Sequence, residues 1–307
     1  MRRLILGAVL AGIVLVSSGA LWMRHFLSTS LAIPAEGYAL TIASGSNWSA
    51  VVRELAANGI VRAPAVLTAW GRFTGEASRI KAGEYLLSPG LTPPALLDLL
   101  VQGKVVLHKL TLVEGWSVRD ILRALRDQPA LTATLKSEDA EQLARELGLS
   151  WQSAEGAFLP ETYLYPRGMS DRELLMRAHR ALEVHLDRAW NTRSSGLPLA
   201  TPYELLILAS IVERETALAS ERPQIAGVFA RRLERGMRLQ TDPTVIYGLG
   251  TAFDGNLTRR HLEADSPWNT YTRHGLPPTP IATASAAAID AAAHPADGSA
   301  LFFVATG

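Results

Sequence analysis

The chain of 307 residues begins with an uncharged segment of 20 residues, Leu4–Met23, which follows Arg2 and Arg3. A helix of that length spans the ~30 Å hydrocarbon core of a bilayer. A shorter apolar segment followed by small residues would indicate a cleaved signal peptide, and residues 16–20 are small enough for that alternative. The segment continues through Trp22, which suits a membrane interface. We therefore predict an uncleaved anchor.

The charges around this segment predict its orientation. Positive residues stay on the cytoplasmic side of a membrane, and Arg2 and Arg3 precede the segment, although Arg24 and His25 follow it. No later stretch of the sequence is long and apolar enough to cross a second time. We expect a single-pass protein whose residues 26–307 lie outside the cytoplasm.

The composition excludes several classes of function. A net charge of +1 gives no electrostatic basis for a nucleic-acid partner. The chain has no cysteine, which excludes disulfides, thiolate metal sites and a cysteine nucleophile. Its seven histidines have no spacing that would place two imidazoles on one metal ion. We predict neither a metal site nor a cofactor.

Residues 38–107 have the pattern of a small α/β unit. Tyr38–Ile42 alternates like a strand, residues 49–58 and 64–72 have helical patterns, and residues 81–87 return as a strand. This order of elements resembles the LysM-type fold, which recognises glycan chains. The alternative is a spacer domain without a ligand.

Residues 108–307 read as a larger unit of helices and loops. Glycine and proline rule out a continuous helix over Glu155–Tyr163 and make it a loop or short strand that presents acidic and aromatic side chains, unless it is a structural turn that packs Phe158 and Tyr163. A helix is predicted over Ser220–Arg235, with its first residue as the cap, and Asp242 is predicted to cap the next helix ahead of Pro243. The solvated face of the first helix is expected to carry Arg231, Arg232 and Arg235.

The apolar run Leu205–Val212 ends in two glutamates, Glu213 and Glu215. Burial raises the pKa of a carboxyl, and a carboxyl still protonated near neutral pH can act as a general acid. Two positions along a helix correspond to ~200° of rotation, so only one of the two readily faces a cleft. The alternative is that both are exposed or form ion pairs with Arg214 and Arg222.

Two later loops, Ser266–Tyr271 and Gly275–Ile281, are irregular and rich in aromatic and amide side chains. Aromatic rings stack on sugar rings, and amides form hydrogen bonds with hydroxyl groups. The loops therefore suit a neutral, hydroxylated ligand, unless they only pack the domain.

Four motifs resemble, in order and spacing, those of the MltG/YceG-like endolytic murein transglycosylases: Leu208–Thr216, Leu239–Gly248, Asn269–Tyr271 and Gly275–Pro278. The similarity extends over residues 1–307. It implies an inner-membrane lyase with its catalytic domain in the periplasm. Such an enzyme cuts nascent peptidoglycan strands internally, terminates their elongation and leaves 1,6-anhydro-N-acetylmuramyl ends. Peptidoglycan synthases are the implied protein partners.

The resemblance also implies roles for residues of this chain. The catalytic glutamate of the family falls in the helix-end motif and corresponds to Glu215, with Glu213 as the second choice. Trp268 stands where the family usually has tyrosine, which preserves an aromatic face. The substrate-binding residues implied are Glu155, Gln240, Thr241, Asp242, Tyr247, Trp268, Asn269 and Tyr271.

The predicted architecture is an α+β chain in three parts. Residues 1–25 form the cytoplasmic tip and transmembrane helix, residues 38–107 a LysM-like glycan-binding subdomain, and residues 108–307 a mixed α/β catalytic domain. Members of the family continue beyond the position of residue 307, so a truncated catalytic domain is expected. Leu301–Val304 is predicted to be an interior strand.

Two other functions fit the same sequence. A hydrolase of the muramidase type needs a second working carboxylate, and the choices are Asp242, Asp254 and Glu161. A non-catalytic glycan-binding protein would keep the LysM-like unit and tolerate loss of Glu215. A mechanism that uses one glutamate fits the spacing of Glu213 and Glu215 better.

Overall fold

The computed structural model describes residues 2–303, without the side chains of residues 2–5, 8 and 9. Helices and short strands alternate along it, which is the mixed α/β class that the sequence predicts. The chain divides into two compact units. The first comprises Met1–His108 with Pro166–Gly168, and the second comprises Lys109–Tyr165 with Met169–Gly307.

The chain begins with helix α1, Arg2–Ser28, which continues past Met23. Its segment Leu10–Ser28 has a mean hydropathy of 1.4, and none of its residues is buried, although Phe26 packs against the core of the first unit. A core helix of similar composition would be mostly buried. The length and composition of α1 fit a membrane anchor and also a signal sequence.

The first unit contains a two-stranded antiparallel sheet. Strand β1, Tyr38–Ile42, pairs with β2, Gly83–Leu87. Helices α2, Trp48–Ala57, and α3, Pro64–Phe73, come between the strands in the sequence, and α4, Pro93–Gln102, follows them. The predicted strand–helix–helix–strand order is confirmed.

One apolar core holds these elements together. Asn47 starts α2 by accepting the N–H of Ala50, as an N-cap residue does. Val52 and Leu55 of α2 are fully buried, as their helical spacing predicts, and pack with Leu40 of β1 in this core.

The second unit contains most of another two-stranded sheet, formed by β3, Leu107–Thr111, and β4, Thr162–Pro166. Of the stretch Glu155–Tyr163, residues 155–161 form a loop and Thr162 and Tyr163 begin β4, with Phe158 and Tyr163 buried. The helices of this unit in the described part of the chain are α5 (Val118–Arg126), α6 (Ala140–Leu147), α7 (Asp171–Thr192), α8 (Pro202–Glu215), α9 (Arg222–Glu234), α10 (Asp242–Leu249), α11 (Arg259–Glu263) and α12 (Ala286–Ala293).

Helix α8 is the centre of the second unit. All of Leu205–Val212 is buried, and the helix packs against α7, α9 and α12. A helix covered on every side has no need of a polar face, which explains the unbroken apolar run.

Two predicted helix caps are wrong. Helix α9 begins at Arg222, and its cap position is occupied by Glu221, so Ser220 lies outside the helix. Thr241 occupies the cap position of α10, which makes Asp242 the first helical residue. The carboxylate of Asp242 instead accepts a hydrogen bond from the Tyr271 hydroxyl.

The strand predicted at Leu301–Val304 is also wrong over residues 301–303, while Val304 lies outside the described residues. The carbonyl groups of Ala300 and Leu301 accept hydrogen bonds from arginine side chains of α9 instead of from a neighbouring strand. Phe303 packs edge to face on Phe229, with ring centroids 5.6 Å apart. Apolar contact explains the composition of this segment without a sheet.

Candidate active site

The two glutamates lie at the carboxyl end of a helix that the core fixes in place. The Thr201 side chain caps the first turn of α8, and Pro202 occupies that turn. The buried run Leu205–Val212 then anchors the helix. It ends at Glu215 because Thr216 is extended, with φ −149° and ψ 140°.

Glu213 is bound to two neighbouring helices. Its side chain is 5% exposed, and its Oε1 lies 3.3 Å from Nη2 of Arg222 in α9. Its Oε2 accepts the N–H of Ser285 at 2.9 Å and the Ser285 hydroxyl at 2.5 Å. Ser285 is the cap of α12. The ion pair considered for Glu213 and Arg222 is therefore present.

Glu215 has a different environment. In the part of the chain that the structure describes it forms no ion pair, and its Oε1 accepts a hydrogen bond from Oγ1 of Thr241. Burial raises the pKa of Glu215, the Thr241 hydrogen bond opposes that rise, and the nearby Asp242 carboxylate adds to it. The arrangement favours a carboxyl that keeps its proton to higher pH than an exposed glutamate does.

Glu215 lines two cavities of the second unit. The larger is an open cleft of about 700 Å³, and Glu213 also lines it. The prediction that only one of the two glutamates faces a cleft is therefore wrong. The smaller is a pocket of about 380 Å³. The cleft is lined by Thr111–Gly115, Pro160–Thr162, Glu213–Ala217 and Arg222. The pocket is lined by Glu215, Arg232, Leu239–Asp242, Tyr271, Phe302 and Phe303.

A strained turn leads into α10 beside Glu215. Gln240 has a φ of 50°, and it is the one non-glycine residue within residues 2–303 that has a positive φ. Its side chain is exposed, whereas Thr241 is 2% exposed and donates to Glu215. Left-handed backbone at a residue other than glycine costs about 1–2 kcal/mol, and such outliers concentrate at functional sites.

Tyr271 lies over the first turn of α10, and Asn269 holds it there. The Tyr271 hydroxyl donates to Oδ1 of Asp242 at 2.5 Å, and burial, followed by that hydrogen bond, raises the pKa of the hydroxyl. Asn269 is 1% exposed; its amide donates to the carbonyl groups of Ala264 and Leu262, and its Oδ1 accepts the N–H of Tyr271 at 2.8 Å. Asn269 shapes this loop and lines neither cavity.

Three other predicted substrate-binding residues, Glu155, Tyr247 and Trp268, form a chain of contacts outside the linings of both cavities. Trp268 and Tyr247 pack edge to face with ring centroids 5.6 Å apart, and Nε1 of Trp268 donates to Thr279 at 3.0 Å. The Tyr247 hydroxyl donates to Oε2 of Glu155 at 3.1 Å. Glu155 is 3% exposed and also accepts the N–H of Val118 at 3.0 Å. This group ties the Glu155 loop to α10.

Burial raises the pKa of Glu155 to about 7, while the hydrogen bonds from Val118 and Tyr247 oppose that rise. Between the unfolded pKa near 4.5 and the folded value, the native state binds the extra proton. The proton on Glu155 therefore stabilises the native state below that range. As the pH rises through the range, roughly 3 kcal/mol of this stabilisation is lost. Between pH 5 and pH 8, we expect the free energy of unfolding measured in urea to fall by roughly 3 kcal/mol more for the wild type than for Glu155→Gln. Parallel pH profiles for the two proteins would contradict it.

The prediction that Arg232 lies on a solvated face is wrong. Arg232 is 6% exposed and donates to the carbonyl groups of Leu239 and Leu301. It follows Ile225 by seven residues, two helical turns, and so shares the buried face of α9. That spacing was the available signal, whereas nothing local in the sequence points to Ser285 as a partner of Glu213.

Within residues 2–303 there is no group of three or more histidine, cysteine, aspartate or glutamate side chains that could hold a metal ion. The polar side chains that line the pocket beside Glu215 carry carboxyl, hydroxyl, amide and guanidinium groups, supplied by Gln240–Asp242, Tyr271 and Arg232.

Comparisons with known proteins extend over most of the chain. The model of the YceG-like family matches residues 40–307. A relative from Bacillus subtilis (strain 168), named endolytic murein transglycosylase, is 29% identical, and the match covers 87% of this chain and 78% of the relative. A relative of the same name from Streptococcus pneumoniae serotype 2 is 27% identical, with 95% of this chain and 59% of the relative covered. A crystal structure of a yceG-like protein from Listeria monocytogenes matches 89% of this chain and 95% of its own, with 27% identity and a TM-score of 0.55.

Proposed function

Since this chain belongs to the YceG-like family, we propose that it is an endolytic murein transglycosylase, the name that its curated relatives carry. It would cut nascent peptidoglycan strands between N-acetylmuramic acid and N-acetylglucosamine and so end their elongation. The observation that carries the proposal is Glu215: a carboxyl with a raised pKa, without an ion pair among residues 2–303, on the wall of two cavities.

The proposed reaction needs one carboxyl group. Protonated Glu215 gives its proton to the glycosidic oxygen as the bond from that oxygen to C1 of the muramyl residue breaks. The C6 hydroxyl of the same residue forms the new bond to C1, and its proton returns to Glu215. The products are a free hydroxyl on the leaving sugar and a 1,6-anhydro ring, and no water is consumed. The Thr241 hydroxyl, which donates to Glu215, stabilises the carboxylate between the two transfers.

The remaining predicted residues divide into two groups in this proposal. Gln240, Asp242 and Tyr271 line the pocket beside Glu215, and we assign them to the sugar and to the positive charge that develops at C1. The other four act through contacts inside the protein, because they are buried or lie outside both cavity linings: Glu155, Tyr247, Trp268 and Asn269.

The products of digestion in ¹⁸O-water test this function. We expect the released fragments to end in 1,6-anhydro-N-acetylmuramic acid and to contain no heavy oxygen, because the C6 hydroxyl takes the place of water. Mass spectrometry of the muropeptides measures both properties at once. Reducing ends that carry ¹⁸O would instead identify a hydrolase.

One observation favours the hydrolase as a second candidate. Glu161 is exposed and lines the same cleft as Glu215, so a second carboxylate is available there. The other two choices fit less well, because Asp242 is held by Tyr271 and Asp254 accepts the N–H of Asn256 outside both cavity linings. If water is the nucleophile, Glu161→Gln should abolish activity as completely as loss of Glu215.

We further propose that residues 38–107 form a LysM-like subdomain that binds glycan strands. Support comes from the confirmed order of β1, α2, α3 and β2. This subdomain also underlies the third alternative, a glycan-binding protein without catalysis. Incubation with insoluble peptidoglycan separates the two: co-sedimentation without any released fragment would indicate a binding protein only.

We propose that α1 anchors the protein in the inner membrane, with its catalytic unit in the periplasm and within reach of peptidoglycan synthases. Support comes from the exposed apolar segment Leu10–Ser28 and from Arg2 and Arg3 before it. We expect a reporter that is active only in the cytoplasm to stay silent when fused after residue 307. A bright reporter, or an N-terminus that begins near residue 20 in the purified protein, would overturn the orientation or the anchor.

A further inference from the structure

Arg232 is a buried cation whose partners are backbone carbonyl groups. Its Nε donates to the carbonyl of Leu301 at 2.7 Å, and its Nη1 donates to the carbonyl of Leu239 at 2.6 Å. Within residues 2–303 no carboxylate forms an ion pair with Arg232. Its guanidinium group lies over the ring of Phe302, 4.7 Å from the ring centroid. Burying an unpaired charge is costly, so a position that retains one calls for a specific reason.

One of these carbonyl groups begins the strained turn. Leu239 directly precedes Gln240, whose φ is 50°. The turn is held from the other side as well, because the N–H groups of Gln240 and Thr241 donate to the carbonyl and the hydroxyl of Thr270, each at 3.1 Å. Three hydrogen bonds thus hold a conformation that a residue other than glycine avoids.

The conformation of this turn determines where the Thr241 hydroxyl points. Thr241 follows Gln240, and its Oγ1 donates to Glu215. Arg232 lines the same pocket as Glu215 without being its hydrogen-bond partner. We propose that Arg232 is a positioning residue: by holding the Leu239 carbonyl it keeps Gln240 left-handed and Thr241 directed at Glu215. The proposal deepens the proposed function, because it rests on Glu215 as the acid.

The test follows the ionisation of Glu215 directly. NMR titration of the full chain, carrying ¹³C-labelled glutamate carboxyl groups, reports the pKa of Glu215, and the signal lost in Glu215→Gln assigns it. The Thr241 hydrogen bond lowers the pKa of Glu215. Arg232→Lys keeps the positive charge but cannot donate to the carbonyl groups of Leu239 and Leu301 at the same time. The Thr241 hydrogen bond to Glu215 should then weaken, so we expect the pKa of Glu215 to rise, as it should in Thr241→Val. The double variant should rise no further than either single variant.

Arg231→Lys is the matched control. Arg231 is the neighbouring residue of the same helix and donates to the carbonyl groups of Ala300 and Ala296, but not to Leu239. We expect this change to leave the pKa of Glu215 where it is. The variants keep every other charged or titratable group that lines the cavities around Glu215: Glu114, Glu161, Glu213, Arg214, Arg222, Asp242 and Tyr271.

Activity provides a second measurement. We expect Arg232→Lys to lower kcat by about 10- to 100-fold, with little change in KM. The reason is that a displaced Thr241 hydroxyl no longer stabilises the Glu215 carboxylate during the chemical step. Glycine adopts a positive φ without strain, so Gln240→Gly should let the turn form without the Arg232 hydrogen bond. In that background, Arg232→Lys should lower kcat less than it does alone. The double variant should also fold if the single variant Arg232→Lys does not. A lower melting temperature with the pKa of Glu215 unchanged, or no rescue by Gln240→Gly, would overturn the proposal. An inactive wild type with the predicted shift in the pKa would instead contradict only the proposed function.

Discussion

Replacing Glu215 with glutamine is expected to lower the rate of glycan cleavage by about 10²–10⁴-fold, the range for loss of a general acid–base group. Glutamine preserves the size of the side chain and still accepts the Thr241 hydrogen bond, but it has no proton to transfer. The fold should remain intact, because Glu215 forms no ion pair within the described residues and the helix behind it is unchanged. Release of muropeptides gives the rate, and thermal unfolding checks the fold.

The matched control is Glu234→Gln, which removes the same charge from an exposed position of α9 outside both cavity linings. It should cleave at the wild-type rate. In the wild type, activity should fall on the alkaline side as Glu215 loses its proton, at a pH above the ordinary range of a glutamate because burial raises its pKa. Equal rates for wild type and Glu215→Gln would remove Glu215 from the mechanism.

Replacing Glu213 with glutamine is expected to destabilise the second unit by about 3–5 kcal/mol, the cost of removing one partner of a buried ion pair. The side chains of Glu213 and Arg222 are 5% and 10% exposed, so the positive charge left behind is poorly solvated, and its other carboxylate, Glu114, is 3.8 Å away. Nε of Arg222 is already buried without a hydrogen-bond partner among the described residues. Urea unfolding measures the loss, and cleavage below the melting temperature should continue, because Glu215 is untouched.

Glu114→Gln isolates the effect of burial. Glu114 also approaches Arg222, at 3.8 Å, but its side chain is 54% exposed. A pair of that kind contributes about 0–1 kcal/mol, so this variant should remain close to wild type in stability. Similar losses for both variants would mean that the contact of Glu213 with Ser285, not its charge, stabilises the unit. Abolished cleavage by folded Glu213→Gln would make Glu213 the catalytic residue.

The sequence predicted α8 well because its signal is local. An unbroken apolar run that ends in two glutamates requires a buried helix and places both carboxyl groups at its end. The prediction that only one of the two faces the cleft is wrong, because both line it, and they differ instead in their partners. The reason for the difference could not be read, because Arg222, Thr241 and Ser285 reach the glutamates through tertiary packing over separations that no helical period describes.

Failures of prediction arose where one residue type serves two purposes. Asp242 followed by proline is typical of a helix cap, yet its carboxylate is bound by Tyr271, from a loop distant in sequence. Arginine usually marks a solvated face, yet Arg232 serves as a donor to buried carbonyl groups. Gln240 carries no sequence signal for a positive φ, because that conformation is imposed by the partners of the turn.

The position of Glu215 on the wall of both cavities has a consequence for inhibitor design. A small compound in the cleft of about 700 Å³ and another in the pocket of about 380 Å³ would each lie beside Glu215. Joining them by a short linker makes the second binding event intramolecular, which typically raises affinity by about 10²–10⁴-fold over either compound alone. A protonated amine in the linker, placed at Glu215, would favour the ionised carboxyl and so remove the proton that cleavage requires.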